Sequence, residues 1–178
     1  LRNPKNSGKG FSVRRGMQVA HGEIRYFMDA DMPFELDAFQ AMQEALKTEC
    51  DIAVGARDLP GSTLVDVPFS RFLAGHVFSW LVSILAVENI SDTQCGLKGF
   101  RSVAAEEIFS RATINDFGMD VEVLFIAQHL GYRIKRIPVR MTGFRGDSRV
   151  HLVKDSISMF LELILIRWNA CRGIYHFK

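Results

Sequence analysis

With 178 residues, 48% of them hydrophobic, the chain is long enough to bury a sizeable core as one domain and too apolar to stay disordered. Its 22 Lys+Arg stand against 20 Asp+Glu, a net charge of +2, which leaves no whole-protein case for a nucleic-acid partner. Cys50, Cys95 and Cys171 are widely spaced and form no CxxC pair, so neither a zinc ribbon nor a disulfide scaffold is indicated, and a reducing compartment is the default expectation.

The opening segment, LRNPKNSGKG, is polar, with no initiator Met and no apolar leader, and is expected to belong to a fragment whose amino-terminal part is missing. A helix is predicted over 11–20. EIRYFM (23–28) reads as a strand that ends at Asp29 and Asp31. ELDAFQAMQEALK (35–47) reads as an amphipathic helix with Leu36, Phe39, Met42 and Leu46 on one face. DIAVGA (51–56) reads as a short buried strand, followed by a polar loop with a Pro60-Gly61 turn. A long apolar helix is predicted over 68–87, a strand over 96–100, and helices over 102–110 and 119–130, the second stopped by Gly131. YRIKRIPV (132–139) reads as a strand whose Pro138 marks its end or a sheet edge. The loop 142–149 leads into a last helix over 152–172. The apolar runs 72–87 and 157–166 both fall short of the roughly 20 residues a spanning helix needs, and they contain His76 and Glu162.

Strands alternating with helices predict an α/β layer architecture with a mostly parallel or mixed sheet. Ligands bind such sheets at the carboxyl ends of strands, which is where Asp29 and Asp31 fall. Residues two apart on extended chain point the same way, so both carboxylates can reach one hard cation; the bland alternative is a solvated turn. NSGKG (6–10) can present backbone N–H groups and the Lys9 ammonium to an anion, or can be a simple turn. In SDTQCGLKGF (91–100), Asp92 is an N-cap, a base or an orienter, and Cys95 is better read as a small packed residue than as a nucleophile, having no evident His partner. Asp120 and Glu122 open a predicted helix, where acids are favoured by the helix dipole or serve a site. Arg57, Arg71, Arg145 and Arg149 lie in predicted loops. They are solvated surface residues taken singly, and an anion-binding rim if they converge.

The ordered set Asn6-x-Gly8-Lys9-Gly10, Asp29-x-Asp31, Gly55-x-Arg57, Asp92-x-Gln94-Cys95-Gly96, Asp120-x-Glu122 and Gly131-Tyr132 resembles the family 2 glycosyltransferases of the GT-A fold, and most of all the dolichyl-phosphate and polyprenyl-phosphate sugar transferases. DTQCGLKGF and FGMDVEVLFIAQHLGYRIKRIPV look most like the dolichyl-phosphate β-glucosyltransferase branch, and the resemblance spans nearly the whole chain. It implies a GT-A (Rossmann-like) mixed sheet flanked by helices, without the family's first strand and glycine- and aspartate-rich loop. It divides the chain into a partial catalytic domain, 1–151, and a carboxyl-terminal apolar, interfacial helix, 152–178. It also implies inverting transfer of a hexose, with UDP-glucose the expected donor, to dolichyl or polyprenyl phosphate.

The resemblance further implies residue roles. Asp29 and Asp31 would hold Mg²⁺ or Mn²⁺; Lys9, Gly10 and Arg57 would lie at the donor diphosphate. Arg71, Arg145 and Ser148 would lie at the acceptor phosphate, and Asp31 and Asp92 would be the catalytic carboxylates. The expected partners are a UDP-sugar, a lipid phosphate and a membrane surface, with no nucleic acid and with the catalytic domain facing the cytoplasm. A soluble saccharide acceptor and a non-catalytic sugar-nucleotide-binding role are the alternatives.

Overall fold

The computed structural model describes residues 1–30, 34–62, 82, 86–140 and 152–177, the side chains of 152–156 excepted. Its elements in chain order are α1 (Lys9–Val19), β1 (Ile24–Met28), α2 (Leu36–Thr48), β2 (Ile52–Ala56), β3 (Leu97–Arg101), α3 (Ser102–Arg111), α4 (Met119–His129), β4 (Ile134–Pro138) and α5 (Leu152–Cys171). The helix expected over 68–87 lies outside the described residues apart from Val82, Ala86 and Val87, and the loop 142–149 lies wholly outside them.

The described strands form one mixed sheet in the order β1-β3-β2-β4. β3 is antiparallel to both β1 and β2, and β2 is parallel to β4. β1, β2 and β4 therefore run the same way, and their carboxyl ends share one sheet edge with the start of β3. Pro138 is both the last residue of β4 and part of an outer strand of the described sheet, a position that tolerates its missing N–H.

Side-chain alternation along the strands makes two cores. Phe27, Ile52, Val54 and Phe100 point to one face and pack with Met17 of α1, Ala105, Ile108 and Phe109 of α3, Leu124 of α4 and Leu163 of α5. Ala53, Leu97 and Ile137 point to the other face, where α2 packs on them with Ala38, Met42, Ala45 and Leu46. The buried stripe of α2 thus runs 38, 42, 45, 46 rather than through Leu36, which is 77% exposed. Leu36 is in the first turn, ahead of the stretch that crosses the sheet, and the two alanines let the helix axis come close. α4 ends at His129 with Leu130 as its cap, and Gly131 takes a positive φ of 78° that lets the chain turn back into β4.

The acids near the start of α4 are both inside. Glu122 is fully buried, and its carboxylate accepts the Thr113 N–H (2.9 and 3.0 Å), the Thr113 hydroxyl (2.7 Å), the Ile114 N–H (2.9 Å) and the Tyr175 hydroxyl (2.9 Å). One side chain thereby ties the α3–α4 connection to the segment after α5. Removing it strands several buried donors at once. Glu122→Ala is expected to lower unfolding stability by about 3 kcal/mol, measured as the urea midpoint; a loss below about 1 kcal/mol would show that water takes over these bonds.

Candidate active site

Charged side chains collect at the edge where β1 and β2 end and β3 begins. The Asp29 N–H donates to the Gly96 carbonyl (2.8 Å), continuing the β1–β3 ladder one residue past Met28 and Leu97. The Asp29 carboxylate lies directly over Gly96: a Cβ there would come within 2.0 Å of Asp29 Oδ2, so only glycine leaves room for it. Lys9 Nζ stands 2.9 Å from Asp29 Oδ1 and 2.6 Å from Asp120 Oδ2. Lys98 Nζ stands 2.5 Å from Asp120 Oδ1, donates to the Cys95 carbonyl (2.9 Å) and lies 5.4 Å from the centre of the Phe27 ring. Positive and negative groups alternate along a line from Lys98 through Asp120 and Lys9 to Asp29.

Local packing explains the placement of Lys9. α1 begins with its backbone pressed against the connection 114–115. A Cβ on Gly8 would fall 2.1 Å from the Asn115 carbonyl oxygen, and one on Gly10 would fall 2.5 Å from that of Ile114. Gly8 also has a φ of 92°, which disfavours any side chain. The glycines on either side of Lys9 therefore seat the helix, and the lysine is turned toward the two carboxylates.

Burial and charge oppose each other here. Burial alone would lower the Lys9 ammonium, but Asp120 and Asp29 outweigh it and raise its pKa above the ordinary lysine value. Burial alone would raise Asp120, but Lys98 and Lys9 outweigh it and hold its pKa below the usual aspartate value. Lys9 and Asp120 thus favour each other's charged forms at neutral pH.

A second ion pair closes the edge. Arg57, directly after β2, donates to Asp92 Oδ2 from its backbone N–H (2.9 Å) and from Nε (2.9 Å), and to Oδ1 from Nη2 (2.8 Å). The fork is bidentate, and Asp92 raises the guanidinium's pKa against the opposing effect of burial. With three donors on it, Asp92 is arranged to orient Arg57. Next to this pair, Ser91 donates to Asp58 (2.5 Å) and Arg136 of β4 pairs with Asp58, so the loop after β2 is clasped to the segment before β3. Cys95 is fully buried. Burial first, then Asp92, push its thiol up to about 11, so it is neutral and packed rather than nucleophilic.

The structure thus brings Lys9, Gly10, Asp29, Arg57 and Asp92 to one edge. Asp31, Arg71, Arg145 and Ser148 lie outside the described residues. Lys98 was given no role from the sequence, and Asp120 was left open between a helix-start acid and a site residue; the structure puts both in the site. Their signal was present: a lysine in a strand buried at its first four positions, and an acid in a helix whose first nine residues are all buried. Charges so placed require partners.

Residues 1–109 match the model of glycosyl transferase family 2. The chain belongs to that family. It is 33% identical to the dolichyl-phosphate β-glucosyltransferase of Dictyostelium discoideum over 184 residues, covering 100% of this chain and 56% of the relative. It is 34% identical to the enzyme of that name from Drosophila melanogaster (93% and 55% covered) and 30% identical to the human one (98% and 56%). The chain spans little more than half the length of these curated relatives. Glucosyl-3-phosphoglycerate synthase of Mycobacterium tuberculosis superposes with a TM-score of 0.69 at 14% identity, over 92% of this chain and 56% of that one. The same protein crystallised with Mg²⁺ and UDP superposes with a TM-score of 0.66 at 16% identity, covering 95% and 56%. The fold is therefore that of the GT-A glycosyltransferases.

GT-A neighbours have been crystallised with Mg²⁺ or Mn²⁺. Among the described residues of this family 2 chain, no group of three His, Cys, Asp or Glu side chains is arranged to hold a metal. The donor chemistry nevertheless fits a hard divalent ion. Asp29, its side chain 25% accessible, offers carboxylate oxygen, and such ions are commonly held by one or two carboxylates with substrate phosphates completing the shell.

The linkage of Asp120 has a definite sign. Its folded pKa is depressed, so its contribution is complete above the unfolded value of about 3.9 and is lost as pH falls through the folded value. The gap in urea midpoint between the native protein and Asp120→Asn is expected to be wide at pH 7 and to narrow below about pH 4. A gap that stays constant down to pH 3 or so would show that Asp120 is not held ionised by its lysines.

Proposed function

We propose that the protein containing this chain moves glucose from UDP-glucose to a dolichyl or polyprenyl phosphate, with inversion at the anomeric carbon. The observation that carries the reading is the group of Lys9, Asp29 and Arg57 at one strand edge. It occurs in a chain 30–34% identical, over nearly all its length, to dolichyl-phosphate β-glucosyltransferases.

As the bond from the sugar to the diphosphate breaks, negative charge gathers on the leaving oxygens. Asp29 and Asp31 would hold a divalent cation, Mg²⁺ or Mn²⁺, which when bound neutralises part of that charge. Lys9 adds a fixed positive charge, held in place by Asp120. Arg57 adds a second, with Asp92 keeping its planar fork aimed. The acceptor is a phosphate monoester with a second pKa of about 6, so it is ionised at neutral pH and needs little help from a protein base. Its placement matters more than its activation, and Arg71, Arg145 and Ser148 are the proposed anchors.

A lipid acceptor calls for a membrane-facing surface, and α5 supports one. No described helix is long and apolar enough to cross a membrane. The inner face of α5 buries Leu163, Ile166 and Asn169, yet its outer face carries Ile157, Phe160, Leu161, Ile164, Leu165 and Trp168, all exposed. Steps of three and four put these on one stripe, with Arg167 at its margin and Arg172 at its end. Apolar residues bordered by Trp and Arg suit a bilayer interface. The division into a catalytic part, 1–151, and an interfacial helix, 152–178, belongs to this reading, as does a catalytic face toward the cytoplasm.

The test is transfer from radiolabelled UDP-glucose to a polyprenyl phosphate by the full-length protein, with and without Mg²⁺ or Mn²⁺, beside Asp31→Asn. Metal-dependent lipid labelling that Asp31→Asn abolishes is the expected result. Labelling untouched by Asp31→Asn would remove the metal role of that residue, and no labelling by a folded, UDP-glucose-binding protein would remove the acceptor. Separately, replacing Ile164 and Trp168 together by Glu is expected to weaken co-sedimentation with anionic phospholipid vesicles about tenfold; unchanged binding would take α5 out of the interface.

A further inference from the structure

The contacts at the sheet edge close into a ring. Lys98 reaches Asp120, Asp120 reaches Lys9, and Lys9 reaches Asp29. The Asp29 N–H reaches the Gly96 carbonyl, and the carbonyl of the preceding residue, Cys95, accepts from Lys98 again. Exposure rises around the ring: the side chains of Lys98 and Asp120 are 0% and 3% accessible, those of Lys9 and Asp29 are 20% and 25%. Substrate can meet Lys9 and Asp29, but it cannot meet Lys98.

We infer that Lys98 and Asp120 are a buried positioning pair that fixes where the Lys9 ammonium stands beside Asp29, and so where a donor diphosphate meets positive charge. The inference rests on the proposed contact between Lys9 and the donor. A stability role alone accounts poorly for the pair. Lys98 shares its strand face with Phe100 and lies against Phe27, a setting that an apolar side chain would fill. Buried ion pairs are often no more stabilising than well-packed apolar replacements, because both charges must first be stripped of water. What the pair supplies is geometry. A flexible lysine of four methylenes is held by a carboxylate that cannot itself move, because its other oxygen is occupied by an ammonium anchored on a backbone carbonyl and an aromatic ring. Lys98 keeps Asp120 charged and aimed, and Asp120 does the same for Lys9.

The test is a double-mutant cycle on the full-length protein, read as affinity for UDP in the presence of Mg²⁺ by titration calorimetry. The variants are Lys9→Met, the paired replacement Lys98→Met with Asp120→Asn, and the three together. The paired replacement leaves no lone buried charge, so its melting temperature is expected to stay within a few degrees of the native value. Lys9→Met is expected to weaken UDP about tenfold in the native background and less than about twofold in the paired background. The same tenfold loss in both backgrounds would overturn the inference while leaving the donor role of Lys9 intact. No loss in the native background would instead remove that donor role, and the inference with it. Should the paired variant fail to fold, Asp120→Glu keeps every charge but moves the carboxylate by one methylene. Weakened UDP binding with unchanged melting is then expected, and unchanged UDP binding would overturn the inference.

Discussion

An ammonium sealed from water in the middle of a sheet has to face a carboxylate, and that requirement orders everything at the strand edge. Lys98 is on β3, flanked by β1 and β2, and has no path to solvent. To neutralise it, α4 must start where Asp120 reaches the sheet. Asp120 then has a second oxygen in a place nearly as dry, and α1 must deliver Lys9 to it. Two residues along a helix point about 200° apart, so Glu122 faces away from the site. It holds the connection 113–114 on which the start of α1 rests. The two acids of the MDVE segment thus set the two surfaces between which Lys9 is clamped, one electrostatic and one made of backbone.

The Arg57–Asp92 pair works on a different plan. Here the cation follows a strand directly and the carboxylate comes from a loop, with the backbone N–H of Arg57 included in the contact. The adjacent Asp58 pairs outward to Ser91 and Arg136. Residues 57 and 58 are consecutive, and so are 91 and 92, so the two segments are joined by two side-chain contacts that alternate in polarity. A slip of one residue would set Asp58 against Asp92 and bring like charges together. Register in a loop without ladder hydrogen bonds is held in this way by charge.

The layers of the fold were legible in the sequence because they rest on local periodicity. Strands 24–28, 52–56, 97–101 and 134–138 and the helices after them fall within a few residues of where alternation and three-to-four spacing put them. Leu36 was misplaced because the pattern at 36, 39, 42 and 46 is as regular as the true stripe. Only the sheet's position selects 38, 42, 45 and 46, and the small size of Ala38 and Ala45 hides them from a reading weighted toward large apolar residues. At the site, Asp29 was legible from its place after a strand. The role of Lys98 was not, because nothing local marks a strand lysine as buried, and that of Asp120 stayed open, because an acid in the first turn of a helix also suits the dipole. Their pairing spans 22 residues and depends on which strand face points to α4, which no local pattern encodes.

α5 joins the outer surface to this edge. Its Glu162 accepts the Gly118 N–H at 2.8 Å, two residues before Asp120, and Gln94 donates to the Met159 sulfur at 3.6 Å, two residues after Asp92. Burial pushes the Glu162 carboxyl pKa up, with Asp116 and Glu122 acting in the same direction against the Gly118 N–H. The helix therefore braces both ion systems from one side while its other side is an apolar stripe. On the proposed reading, these two faces have a common purpose. A lipid phosphate stays at the depth where its bilayer holds it, so the enzyme must bring its charged edge to that level. A helix that rests on the lipid and bonds directly into the start of α4 sets the distance between bilayer and site by the thickness of a single helix, about 10 Å. A loop in that position would leave the distance free to vary.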